Sequence, residues 1–125
     1  MEKIQYTDFK RLKDFIDDIE SQNRKPIYEI PLNKIGRLMQ NVGFVGPINQ
    51  RGSVRAFNHE LLEDVSFLTN GQFTIHVVHG RENIAYKDFK KFLLPYVEHV
   101  LDLIEANYLN KEDKEESEDR EIEQI

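Results

Sequence analysis

Apolar and polar positions change their period twice along this chain of 125 residues. Near the N-terminus Phe9, Leu12, Phe15, Ile16 and Ile19 recur at helical spacing behind Thr7 or Asp8 as a cap, and the positions between them are largely charged. That pattern predicts an amphipathic helix covering one face of the core, fading by Asn23 because Lys25-Pro26 favours extended backbone. Ile27-Tyr28-Glu29-Ile30 reads as a short strand or a segment lying on the core. Pro31 suits the first turn of a second helix. Its buried stripe is Leu32, Ile35, Leu38, Met39 and Val42, its open side carries Lys34 and Arg37, and Gly43 supplies a left-handed stop.

From residue 44 the period shortens to two. Residues 44–50 predict a strand that Gly46-Pro47 makes irregular and consigns to a sheet edge. Gly52 turns the chain into a strand over 53–58, and Asn70-Gly71 signals a hairpin with arms at 65–69 and 72–78. Beyond His79-Gly80 the helical period returns with Ile84, Phe89, Phe92, Leu93, Val97, Val100, Leu101 and Ile104 on one stripe. Pro95 deletes the bond to the carbonyl of Lys91, so a kink or a break belongs at Leu94 and Pro95. The elements describe an α+β fold: a small antiparallel sheet of three or four strands packed on helices. Residues 1–30 add an N-terminal helix and linker, 31–109 form the core, and 110–125 form a tail.

Composition narrows the chemistry. A chain 39% hydrophobic at this length suits one domain with a single modest core. There is no cysteine, which excludes disulfides, thiolate catalysis and cysteine-based zinc sites. No apolar run approaches the roughly 20 residues needed to span a bilayer, and the N-terminus lacks a signal peptide's apolar stretch, so the expectation is a cytoplasmic protein with no membrane partner. The net charge of −6 is unevenly placed. Residues 110–125 hold eight acids against Lys111, Lys114 and Arg120, with too little apolar content to bury, so the tail is expected to be disordered. Residues 25–58 carry Lys25, Lys34, Arg37, Arg51 and Arg55 against Glu29 alone. A nearly neutral body can therefore present a basic face.

Three of the four histidines, His59, His76 and His79, fall within or beside the strands, and Arg51 and Arg55 flank the only Gly-Ser pair. Imidazoles beside guanidinium groups suit phosphate or a nucleic acid backbone. Metal-independent RNA cleavage needs a base for the 2′-hydroxyl, an acid for the leaving oxygen and cations for the phosphorane charge. His79, His76 and His59 are the candidates for proton transfer. Arg51, Ser53, Arg55, Lys34 and Arg37 are the candidates for holding phosphate. In a regular strand His76 and His79 point to opposite faces, so they share one site only if the strand ends before His79. The same geometry argues against a His-x-x-His metal pair, and no metal or other cofactor is expected. His99, on the late helix, reads as a surface residue.

The order Gly43-Phe44, Arg51-Gly52-Ser53, Phe57 with His59, Thr74-Ile75, His79-Gly80, and Glu82 with Ile84 before a helix resembles the HicA, or YcfA-like, toxins of bacterial toxin–antitoxin modules. The resemblance covers roughly residues 32–94 and is closest over VVHGRENIAYKDFKKFL. It implies a fold like that of a double-stranded RNA-binding domain, RNA as ligand, ribonuclease activity of the mRNA interferase kind, and an antitoxin-like protein partner. The family's motif places a histidine, to which RNA cleavage is attributed, directly after the Gly-Ser pair. Val54 stands there in this chain, so the fold is unaffected while the activity loses its usual imidazole. Two other readings use the same residues. One is a non-catalytic protein-binding or inhibitor module, of mobile-element type, whose acidic tail competes for a basic surface. The other is self-regulation, with the tail drawn by charge onto the basic face.

Overall fold

A computed structural model describes residues 1–21 and 29–110. The linker around Ile27 and Tyr28 and the acidic tail fall outside the described residues. Helix α1 (Tyr6–Ser21) buries Phe9, Leu12, Ile16 and Ile19, four of the five positions the periodicity selects, and leaves Phe15 partly exposed. Strand β1 (Glu29–Pro31) leads directly into α2 (Leu32–Gln40). Pro31 is the last extended residue and precedes the first turn, because its fixed φ of −62° fits both. The buried side of α2 is Leu32, Ile35, Gly36 and Met39, followed by Val42, whereas Lys34 and Arg37 face solvent as the pattern requires.

Three strands follow as an antiparallel meander: β2 (Val45–Asn49), β3 (Val54–Asn58) and β4 (Gln72–His76), with β3 in the centre. The register of β2 slips between Val45 and Ile48, around Gly46-Pro47, which places the irregular strand at an edge as expected. Asn70 and Gly71 both take positive φ, 54° and 71°, and Gln72 N donates to Thr69 O at 3.0 Å, closing a tight turn. The expected hairpin is only half present. Residues 65–68 are not a strand, the Thr69–Gln72 pair is an isolated bridge, and β4 pairs with β3 instead. The segment before the turn folds back through a 3₁₀ turn (Glu60–Leu62) that buries Leu62.

A fifth strand, β5 (Asn83–Ala85), pairs antiparallel with β1 in a separate two-stranded sheet. Ile84, assigned by its spacing to the helical stripe, is the centre of β5 and fully buried opposite Ile30. The helical stretch starts just after it with α3 (Tyr86–Asp88) and continues through a π turn (Phe89–Leu93), α4 (Leu94–Leu103) and a second π turn (Ile104–Tyr108). Leu94 N bonds five residues back to Phe89 O, so the wide turn falls just ahead of Pro95, the residue that cannot donate.

One core joins these parts. Phe57 stacks on Phe73 at 5.8 Å between ring centroids, and Phe89, Leu93, Val97, Val100 and Ile104 from the long helical stretch complete it with the α1 residues. Each such side chain contributes roughly 1.5–3 kcal/mol by leaving water. Phe92, placed on the buried stripe by its spacing, is instead 40% exposed. No described helix is long and apolar enough to cross a membrane.

Candidate functional site

Two turns that are far apart in sequence meet at one end of the meander. The first joins β2 to β3, with Val54 N bonded to Arg51 O at 3.2 Å and Gln50 N to Val54 O at 3.0 Å. The second follows β4: Arg81 N bonds Val78 O at 2.9 Å, and Gly80 takes the positive φ of 77° that the third position of such a turn demands. Between them lies a cleft of about 350 Å³ lined by Gly52, Ser53, Arg55, Val77, Val78, His79, Gly80, Arg81 and Glu82. The strand does end before His79, at His76, so His79 projects from the turn and not from the pleat.

Arg55 lies on the core face of β3, opposite Ile75, and is 8% exposed. Its Nε donates to Glu82 Oε2 at 3.2 Å and its Nη2 to Glu82 Oε1, while Nη1 donates to Gly52 O at 2.8 Å and Val54 O at 3.0 Å. Four of the five guanidinium N–H groups are thus engaged. This corrects the assignment of Arg55 to phosphate binding: its charge is spent on Glu82, and it braces the floor of the cleft. Arg81 is likewise paired, to Glu29 at 3.0 Å, and Asn83 Nδ2 donates to the other Glu29 oxygen at 3.1 Å. Leu32 N donates to Glu82 O at 3.0 Å, so α2 begins against the same floor.

The outer face of the meander carries a different group. His76 pairs directly across the ladder with Val54, and its Nδ1 lies 3.3 Å from Ser53 Oγ. His76 is exposed and does not line the cleft; Ser53 does, and so links the sheet face to the turn. Arg51 is exposed at the head of the first turn, and no described ion pair holds it. Lys34 and Arg37 are exposed on α2 and are not part of the cleft lining.

His59 is the second correction. It is 1% exposed, its Nδ1 accepts from Leu61 N at 3.0 Å as the cap of the 3₁₀ turn, and its Nε2 donates to Val42 O at 2.9 Å. Those partners fix the neutral ring with the proton on Nε2. Burial pushes its pKa below the ordinary value, against a smaller upward pull from the Val42 carbonyl and Glu60. A ring so enclosed cannot exchange protons with a substrate, and its work is structural.

The arrangement therefore brings Ser53 and His79 to one cleft, attaches His76 through Ser53, and leaves Arg51 at the rim. Glu82, Arg81 and Glu29 were not among the residues the sequence selected. The only signal for Glu82 was its place after His79-Gly80, and nothing in the sequence pairs it with Arg55. Among the described residues no group of three or more His, Asp and Glu side chains could hold a metal ion. Comparison with family models, with curated proteins and with solved structures returned no match for this chain.

Proposed function

We propose that this chain is an RNA-binding protein of the HicA-like kind, which contacts phosphate and ribose at the rim formed by Arg51, Ser53, His76 and His79. The observation that carries the reading is the Ser53–His76 contact of 3.3 Å on an open sheet face, beside the cleft that holds His79. It puts a hydroxyl, two exposed imidazoles and a guanidinium on two adjoining turns and the strand end beside them. The order α2, β2, β3, β4, long helical stretch supports a fold of the double-stranded RNA-binding type. An RNA-cleaving activity would run through His76 and His79. Val54 occupies the family's histidine position, and the imidazole facing it across the ladder is His76.

The basic surface is smaller than the sequence suggested, since Arg55 is neutralised by Glu82, and Arg81 beside it is paired with Glu29. Binding is therefore expected to be modest and strongly salt-dependent. The test is incubation of the purified protein with mixed RNA, with and without chelator, followed by gel and by binding isotherms at several salt concentrations. Binding that weakens with salt and with Arg51→Ala supports the proposal, and cleavage abolished by His76→Ala or His79→Ala extends it to catalysis. Absence of any binding at low salt removes it.

A second reading, a protein-binding module, is favoured by one observation: the free edge of β4 with exposed aromatic side chains alongside.

A further inference from the structure

The two edges of the three-stranded sheet differ. Strand β2 carries Pro47, a register slip between Val45 and Ile48, and a Gly46 carbonyl that already accepts from Gln40 Nε2. Such features blunt an edge against further pairing. Strand β4 has none of them. Val77 N donates to Ser53 O at 2.9 Å and His59 N to Gly71 O at 3.3 Å, at the two ends of the β3–β4 ladder. Alternation by two then makes Arg55–Ile75 and Phe57–Phe73 the hydrogen-bonded pairs. The backbone groups of Thr74 and His76 consequently point away from β3, and no described backbone group bonds them.

Beside this edge runs a groove of about 320 Å³ built largely from Phe67, Phe92, Tyr96 and Thr74. Phe67 is 73% exposed, far more than an isolated core-type side chain needs to be, and Phe92 is 40% exposed. Tyr96 stacks on Phe73 at 4.6 Å and lies 6.3 Å from Phe67, so the rings make one continuous apolar surface on the core side of β4. No charged side chain lines the groove; Lys91 Nζ stands at its rim, 5.3 Å from the centroid of the Phe92 ring.

We propose that β4 accepts an extended segment of a partner protein as an added strand, its alternate aromatic or branched aliphatic side chains seated on Phe67, Phe92 and Tyr96 and a carboxylate beside Lys91. Main-chain bonds to Thr74 and His76 supply pairing, and the side chains entering the groove supply selectivity. A second copy of this chain fits less well. Its own β4 has Phe73 and Ile75 buried at 3% and 0%, so it has no core-side residue to give to the groove. Stacked RNA bases would cover the rings but leave the Thr74 and His76 backbone groups unpaired. The groove shares no residue with the cleft at His79, and the inference meets the RNA reading only at His76, whose backbone edge serves here and whose side chain serves there.

The test is selection of a displayed library of random dodecapeptides on the intact chain. The best peptide is then synthesised with ordinary amides and with alternate amides N-methylated. The expected winner alternates apolar and polar residues and carries an acid. It binds about tenfold or more weakly to Phe67→Ala, a truncation at an exposed position that leaves the fold intact. Its N-methylated form does not bind, and the Thr74 and His76 amides shift and gain exchange protection in the complex. The proposal is overturned by failure to enrich any peptide, or by a winner that binds equally with Phe67→Ala or with methylated amides. It is equally overturned by a dimer of this chain that Phe67→Ala abolishes, or by a labelled oligouridylate, in place of the peptide, losing affinity on that substitution.

Discussion

Arg55 and Glu82, 27 positions apart, meet in a two-point guanidinium–carboxylate clamp that ties the central strand to the approach of β5. The same arginine holds the Gly52 and Val54 carbonyls, so one side chain fixes both walls of the cleft. The pair is unequal: the Arg55 side chain is 9% exposed and that of Glu82 61%. Arg55→Met takes the side-chain donor from the Gly52 carbonyl, leaves the Val54 carbonyl with Gln50 N alone and removes the buried half of the ion pair, so it is expected to cost about 2–3 kcal/mol. Glu82→Gln leaves a carboxamide to accept from Arg55 and frees no buried charge from its carbonyl partners, so it should cost only about 1 kcal/mol. Urea unfolding of both variants measures the difference, and equal losses would contradict this division of labour.

Stability should fall with acid because of His59. Its folded-state pKa lies below the ordinary 6.5, chiefly through burial. The unfolded chain therefore takes up a proton at higher pH than the folded chain does. The contribution is fully present above the unfolded value and is lost as pH falls through it toward the folded pKa. Replacing His59 with Asn removes this titration along with the ring's packing against Phe44 at 4.7 Å. The variant should be less stable at neutral pH yet show a flatter decline between neutral and mildly acidic conditions. Unfolding midpoints across that range decide it; a parallel decline in both proteins would assign the acid sensitivity elsewhere.

Arg51 is the exposed guanidinium of the rim, and on the proposed RNA-binding reading its removal should lower RNA affinity without touching the fold. Arg51→Ala is expected to weaken binding several-fold at low salt. It should also reduce the slope of log affinity against log salt by about 0.7, the loss of one single-strand phosphate contact. Lys34→Ala, on the exposed side of α2 and in neither of the two turns, should leave the slope unchanged. Isotherms at three or four salt concentrations separate the two variants, and an unchanged slope in Arg51→Ala would take that residue out of the contact.

Ser53 orients His76 through a contact that is open to solvent. Ser53→Ala should therefore change stability by less than about 1 kcal/mol while removing the contact on Nδ1 that could bias the His76 ring toward one tautomer. Long-range proton–nitrogen spectra of the imidazole read the tautomer directly. A ring whose nitrogen shifts are identical in wild type and Ser53→Ala would show that the hydroxyl does not orient it.

Element types were determined largely by the order of the residues, because helix and strand follow from local periodicity and from backbone chemistry that needs no partner. The stripe of Phe9, Leu12, Ile16 and Ile19, the irregular edge around Pro47, the Asn70-Gly71 turn and a helix irregularity next to Pro95 all belong to that class. Pairing was another matter. Residues 65–68 have strand-like composition but form no ladder, although the edge of β4 away from β3 stays open, and Ile84 pairs with Ile30 in β5 and not in the helical stripe. The roles of the charged and titratable residues depended on those pairings. Arg55 and His59 share the residue types of a phosphate site, and only their placement against Glu82, Val42 and Leu61 made them structural. A side chain's chemistry is set by what desolvates and neutralises it, and those groups lie far away in the sequence, where periodicity carries no information about them.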